Sequence, residues 1–118
     1  MRRVVVTGMG AITPLGLNVK EYFDNIKAGN HGFGIISKLM LQNTSTRAAE
    51  VKGFVAKEFM DFKAAKRMET FSQYAVAAAK EAMEQSGLDM SKEDPYRVGC
   101  SIGSGIGSLQ VVEKEYTK

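Results

Sequence analysis

The sequence predicts an α/β layered fold with parallel strand pairing, of which this chain carries an incomplete amino-terminal portion. Three observations point there. Strand patterns alternate with helix patterns along the chain, and that order favours parallel pairing. The first strand pattern, Val4-Val5-Val6, is continuous rather than alternating, the mark of a strand buried on both faces. The last helical pattern is still running at Lys118, with no terminator or polar tail after it, so the chain reads as part of something longer. Two strand patterns do not complete a sheet of this kind.

Each element has its own signal. Residues 2–7 form the first strand, which Thr7 and Gly8 end. Asn18-Val19-Lys20-Glu21 reads as a capping box: Asn18 accepts from a first-turn amide and Glu21 reaches back to the Asn18 amide. A short helix follows with Val19, Tyr22, Phe23 and Ile26 on one face, ended by Gly29. Residues 30–47 read as loop, and residues 48–55 as a weak strand with Val51 and Val55 around Gly53. Residues 64–86 give the clearest helix. Met68, Phe71, Ala75, Ala78, Ala82 and Met83 recur at steps of three and four, and the many alanines imply close approach by a neighbour. Gly87 followed by Leu88 fits a Schellman end. After a polar loop over 89–95, residues 96–102 read as a second buried strand containing Cys100. Gly103 to Gly107 form a loop, and Ser108 caps a helix carrying Leu109, Val111, Val112 and Tyr116.

Composition narrows the function classes. At 118 residues the chain is one domain at most, able to bury roughly two thirds of its unfolded surface. A hydrophobic content of 44% with 25% charged residues suits a globular protein. No apolar run approaches the ~20 residues of a membrane helix, and Val4-Val5-Val6 is too short for a signal-peptide core, so a cytoplasmic location is expected. The single Cys100 excludes an internal disulfide, and no cofactor or metal is expected. A net charge of +3, interspersed with acids, does not argue for nucleic acid.

Two glycine loops look like nucleotide sites and fail on detail. Gly8-Met9-Gly10-Ala11-Ile12-Thr13 has the first two glycines of a dinucleotide fingerprint, but Thr13 replaces the third. Pro14 and Gly16 delay the helix to Asn18, so no helix N-terminus stands where a pyrophosphate would bind. The local alternative is a turn leaving a buried strand. Gly103-Ser104-Gly105-Ile106-Gly107-Ser108 lacks the Lys-Ser/Thr pair of a P-loop. Its glycines let the backbone approach a ligand or move, and Ile106 at the tip suits an apolar ligand; the alternative is a plain connector with Ile106 in the core.

Taken together, Val4-Val5-Val6-Thr7-Gly8-Met9-Gly10, Thr13-Pro14-Leu15-Gly16, Arg67-Met68 with Phe71, Gln73 and Tyr74, and the stretch from Gly99 to Gly107 closely resemble the β-ketoacyl-acyl-carrier-protein synthases. The likeness runs over nearly the whole chain and is nearest to the synthase II branch of bacterial type II fatty-acid synthesis. It implies a thiolase-like fold of two similar α/β halves, a homodimer, and a protein several times longer than this chain. It also implies decarboxylative Claisen condensation of malonyl-carrier protein with an enzyme-bound acyl group. That chemistry needs a nucleophilic cysteine and stabilised oxyanions. The family draws its cysteine and two histidines from later sequence, so no catalytic residue is expected here. Cys100 is not in the family's Thr-Ala-Cys context and reads as a buried, inert thiol. His31 reads as a surface residue.

The resemblance assigns two sites to residues that are present. Gly105, Ile106 and Gly107 match the loop whose isoleucine gates the acyl pocket. Lys63, Lys66 and Arg67 match basic positions that contact the acidic acyl carrier protein. Their spacing puts all three on one helical face. In a helix starting at residue 64 they also fall in the first turns, where the macrodipole disfavours each cation by ~0.3–1 kcal/mol, so an acidic partner would explain them better than helix stability does. The competing reading is a solvated face balanced by Glu69. Beside the enzyme reading stands a non-catalytic fragment that binds carrier protein or associates with itself.

Overall fold

The computed structural model describes residues 2–37 and 47–117. Its helices are α1 (Val19–Lys27), α2 (Phe62–Arg67), α3 (Thr70–Ser86) and α4 (Leu109–Tyr116), and its strands are β1 (Phe33–Ile35) and β2 (Arg47–Ala49). Short 3-10 turns occupy Ala56–Glu58 and Pro95–Arg97.

α3 organises the amino-terminal part. Its alanine-rich face receives the backbone of residues 8–11 at very short range. A methyl group added at Gly10 would lie 2.6 Å from the carbonyl carbon of Ala78, and one added at Gly8 would lie 2.9 Å from the Ser86 nitrogen. Each would also run into a helix carbonyl oxygen, that of Ala78 or Ala82. The close approach expected from the alanines is therefore present, and the first two glycines of the chain exist to permit it. Ala77 on this helix is only 2% exposed.

Polar side chains of α3 fasten what the alanines admit. The Ala11 amide donates to Glu81 Oε2 at 3.0 Å, and the Val19 amide donates to Glu81 Oε1 at 2.8 Å. One carboxylate thus holds the glycine turn and satisfies a free amide in the first turn of α1. The Met9 amide donates to Gln85 Oε1 at 2.6 Å. Between these anchors Thr13 and Gly16 exchange backbone hydrogen bonds of 2.9 and 3.2 Å, and Leu15 donates to Thr13 Oγ1 at 3.2 Å. The Thr-Pro-Leu-Gly bend is a closed turn.

The caps follow the sequence closely. Asn18 Oδ1 accepts from the Glu21 amide at 2.8 Å. Glu21 reaches back as expected, but to the Leu17 amide at 2.9 Å, one residue earlier than the capping box predicts. Gly29 follows α1 in the left-handed region (φ 73°), and Gly87 ends α3 at φ 65° with its amide 3.3 Å from the Glu84 carbonyl. Leu88 donates to Ser86 Oγ at 3.2 Å, so this end has the left-handed cap without the full Schellman pairing. Ser108 caps α4, accepting from the Val111 amide at 3.3 Å.

Four expectations are corrected. Residues 2–7 form no strand, and Val4 is 94% exposed. A strand buried on both faces needs flanking strands and two covering layers, and among the described residues none lies beside it. Residues 96–102 form no strand either. Asp94 Oδ1 accepts from the Tyr96 amide at 3.0 Å and draws Tyr96 and Arg97 into the 3-10 turn; Val98 is extended (φ −111°, ψ 127°) but pairs with nothing described. Cys100 is consequently exposed, not buried.

Third, part of the 30–47 loop is strand. β1 pairs antiparallel with β2 in the register Phe33 to Ala49, Gly34 to Ala48 and Ile35 to Arg47. Alternation of glycine with Phe33 and Ile35 hid the strand pattern, since Gly34 is the inward residue and the large side chains face out. The polar stretch 42–46 lies outside the described residues. The expected strand over 48–55 is confined to its first residues, because Gly53 turns the chain at φ 73° before Val55. The described strand pair is antiparallel.

Fourth, the long helix over 64–86 is two helices. Met68 (φ −107°, ψ 139°) and Glu69 (φ −72°, ψ 159°) are extended and separate α2 from α3. The expected single core is also thin: Ala65 and Ala77 are the buried hydrophobic residues among those described. The radius of gyration is 17.5 Å, against about 13.5 Å for a compact domain of this length. The chain is an open arrangement around α3 rather than a closed core.

Candidate functional site

The α2–α3 break is where the sequence-predicted site residues gather. α2 starts because Asp61 Oδ2 accepts from the Lys63 and Ala64 amides at 2.9 and 3.2 Å. It stops because Met68 leaves helical geometry. Gln73, one turn into α3, closes the gap: its Nε2 donates to the carbonyls of Ala65 at 2.9 Å and Met68 at 3.1 Å. The Ala65 carbonyl also accepts from the Met68 amide at 3.2 Å, so Gln73 adds a second donor there and supplies one to the Met68 carbonyl in the break. Behind the break Tyr74 meets Phe54 edge-on at 4.8 Å, and Phe54 stacks on Phe59 at 5.1 Å. Partial burial there raises the Tyr74 hydroxyl above its ordinary pKa.

Lys63, Lys66 and Arg67 are all exposed on α2. Lys66 Nζ lies 4.5 Å from the centre of the Phe62 ring, a surface cation–π contact. None of the three enters an ion pair found among the described residues. Glu69 likewise forms no ion pair with them among the described residues. The helix end on which two of these cations sit differs from the expectation. Lys66 and Arg67 occupy the last turn of α2, where the macrodipole favours cations, so only Lys63 stands against it. The misplaced helix start, not the residues, produced that expectation.

The glycine loop sits beside the same break. Ser104 Oγ accepts from the Gly107 amide at 3.0 Å, and Gly107 takes a left-handed φ of 75°. The Ser108 hydroxyl makes a long polar contact of 3.5 Å to Glu69 Oε2. Phe71 at the start of α3 lines clefts on both sides of the loop. One, of about 360 Å³, lies between Phe71, Val76 and Ile102-Gly103-Ser104; the other, of about 270 Å³, lies between Glu69, Tyr74 and Gly107-Ser108. Ile106 is 76% exposed at the tip of the loop.

A larger groove lies elsewhere, about 810 Å³ between α1 and α3, and contains none of the residues assigned a site role from sequence. Its rim also removes the nucleotide reading. The amides of Met9 and Ala11, which a phosphate would need, are taken by Gln85 and by the carboxylate of Glu81. A carboxylate at that turn repels a phosphate instead of cradling it. His31 is exposed beside Phe33, with ring centres 6.1 Å apart, and Cys100 is exposed in the 98–102 segment. Neither joins the loop at the α2–α3 break.

With this geometry in view, comparisons with known proteins are decisive for the family. The model of the β-ketoacyl synthase N-terminal domain matches residues 1–118. The chain belongs to the β-ketoacyl synthase family. It is 44% identical over 113 residues to 3-oxoacyl-[acyl-carrier-protein] synthase 2 of Vibrio cholerae, covering 95% of this chain and 27% of that protein. The synthase of the same name from Synechocystis is 39% identical over 117 residues, covering 98% of this chain and 28% of that protein. Among solved structures, the ishigamide ketosynthase/chain length factor superposes with a TM-score of 0.70 at 34% identity, over 76% of this chain and 23% of that one. The fold is therefore a portion of the thiolase-like α/β ketosynthase fold. The chain spans little more than a quarter of the curated relatives it matches.

The sequence pattern did not reveal Glu69 as a contact of the glycine loop, Gln73 as a bridge, or Glu81 as an anchor. Glu81 left a usable signal, since it is a charged residue on the alanine face of a helix, one turn from Ala77 and Ala78. The break at Met68 left less. Its cause is tertiary: Gln73 satisfies carbonyls that a continuous helix would satisfy by itself.

Proposed function

We propose that this chain is part of the amino-terminal half of a β-ketoacyl-acyl-carrier-protein synthase of the synthase 2 type, a cytoplasmic homodimer when whole. The parent enzyme lengthens fatty acyl chains by decarboxylative condensation of malonyl-carrier protein with an enzyme-bound acyl group. These residues contribute recognition, not bond-making. Lys63, Lys66 and Arg67 dock the acidic carrier protein, and Gly105, Ile106 and Gly107 border the acyl pocket. The chain carries Cys100 as its one cysteine and His31 as its one histidine. Neither lines the clefts beside the glycine loop, and the chain by itself is expected to show no condensing activity.

The observation that carries this reading is the meeting of the two assigned sites at one helix break. The basic helix ends at Arg67, and Glu69, immediately after it, faces Ser108 of the glycine loop. A carrier protein held on α2 would deliver its acyl group beside Ile106. The test is a titration of fluorescent acyl carrier protein with the chain. Binding should weaken with added salt, as for any interaction between exposed charges, and should be lost on joint Lys66→Glu and Arg67→Glu reversal. Lys57→Glu, a reversal outside α2, should leave it unchanged. Equal affinity for the double reversal and the parent chain would remove the docking reading.

A second reading is a self-associating fragment without carrier binding. It is favoured by the accessible surface of 10118 Å², against about 6,300 Å² for a compact monomer of this mass. Sedimentation showing dimers, together with no carrier-protein binding, would select it.

A further inference from the structure

We propose that Gln73 and Glu69 are positioning residues that couple the basic helix α2 to the glycine loop, so that a carrier protein bound on α2 sets the geometry of Gly105-Ile106-Gly107. This inference rests on the carrier-docking reading above and names the residues through which docking would reach the pocket loop.

The Met68 amide closes the end of α2 on the Ala65 carbonyl at 3.2 Å, but that bond does not reach α3, so by itself it leaves α2 free to tilt against α3. Gln73 removes that freedom. A single amide group donates both to Ala65, inside α2, and to Met68, in the break, while its own backbone belongs to α3. α2 and α3 therefore turn together about this side chain. Glu69 is the second link. It is the N-cap residue of α3 by position, yet its side chain caps no amide of that helix. It points instead at Ser108, whose hydroxyl lies 3.5 Å away.

Ser108 is not a passive end of the loop. It caps α4 and follows Gly107, whose amide is held by Ser104. A displacement at Ser108 is thus carried into the short ring closed between Ser104 and Gly107, which encloses Gly105 and Ile106. The cleft lined by Glu69, Tyr74, Gly107 and Ser108 lies along the same line. Every step from Lys66 and Arg67 to Ile106 is a hydrogen bond, a polar contact or a covalent neighbour.

The test follows the glycine amides, which are well resolved in a nitrogen–proton correlation spectrum. The isotope-labelled chain is titrated with unacylated carrier protein, so that no acyl group can touch the loop. Binding should shift the amide signals of Gly105 and Gly107. In Gln73→Ala and in Glu69→Ala the carrier protein should still bind with its affinity unchanged, but those shifts should be largely lost. Glu69→Gln, which keeps an acceptor for Ser108, should restore them. Glu69 is exposed and caps nothing, so its variants keep the test open if Gln73→Ala unfolds. Loop shifts of equal size in Glu69→Ala and the parent chain, or binding with no loop shift in the parent chain, would overturn the coupling while leaving docking intact. Absence of any binding by the parent chain would overturn the docking reading, and the coupling with it.

Discussion

The chain has two glycine-rich turns that look alike on paper and differ in kind. At Gly8 and Gly10 the glycines are required by space, because α3 backbone atoms stand where a side chain would begin. At Gly103, Gly105 and Gly107 nothing lies within 4 Å of an added methyl group. There the requirement is conformational, and only at Gly107, whose φ is 75°. The first turn is locked by packing and by Glu81 and Gln85. The second is held by a single serine and leaves Ile106 in the open. One is built as scaffold, while the other is placed to meet something.

Substitutions can break this contrast or sharpen it. The largest effect is expected for Gly10→Ala. The added carbon collides with helix backbone, not with a movable side chain, and overpacking of that kind costs ~3 kcal/mol. A denaturant titration should show it as a lower midpoint; an unchanged midpoint would mean the turn is not pressed against α3. Next is Glu81→Ala, which strips the acceptor from the amides of Ala11 and Val19 together and should cost ~2 kcal/mol. Hydrogen exchange at those amides should accelerate in step. In the open loop, Gly107→Ala should cost about 1 kcal/mol for its left-handed φ, whereas Gly103→Ala should change stability by less than about 0.5 kcal/mol. Similar losses at Gly103 and Gly10 would erase the distinction between the turns.

The smallest expected effect is a titration on the locked side. Asp24 accepts from Lys20 at 2.8 Å and Lys27 at 2.9 Å, and these hydrogen bonds lower its carboxyl pKa to about 2. A depressed folded pKa means that the contribution of this group is present above the unfolded value of 3.8 and is lost as pH falls through about 2. Carbon-detected titration should place the midpoint near 2 at low salt, moving toward 3.8 as salt screens the pair. A midpoint independent of salt would show that the lysines do not hold it.

Local chemistry was the legible part of this molecule. Asn18, Gly29, Gly87 and Ser108 are all where a reading of caps puts them, because a cap needs only its neighbours in sequence. The alanine face of α3 announced a close neighbour, and glycines eight and ten supplied it. The motifs around Gly8, Arg67 and Gly105 identified the family over the whole chain. What failed depended on distant partners. Val4 to Val6 and Val98 to Ile102 have strand sequences, yet a strand exists only beside another, and none of those described pairs with them. The α2–α3 break depended on one side chain, Gln73, reaching back across it. The macrodipole argument for Lys66 and Arg67 failed for the same reason, since a helix boundary decides which end a charge occupies.

The carboxylate of Glu81 has one more consequence. Its two oxygens hold Ala11 and Val19 at once, and a carboxylate cannot stretch. It therefore acts as a gauge for the length of chain between them. A residue inserted or deleted anywhere from Ile12 to Asn18 would force one of the two bonds to open, even if the new residue were harmless in itself. The bend is specified by how long it is as much as by what it contains.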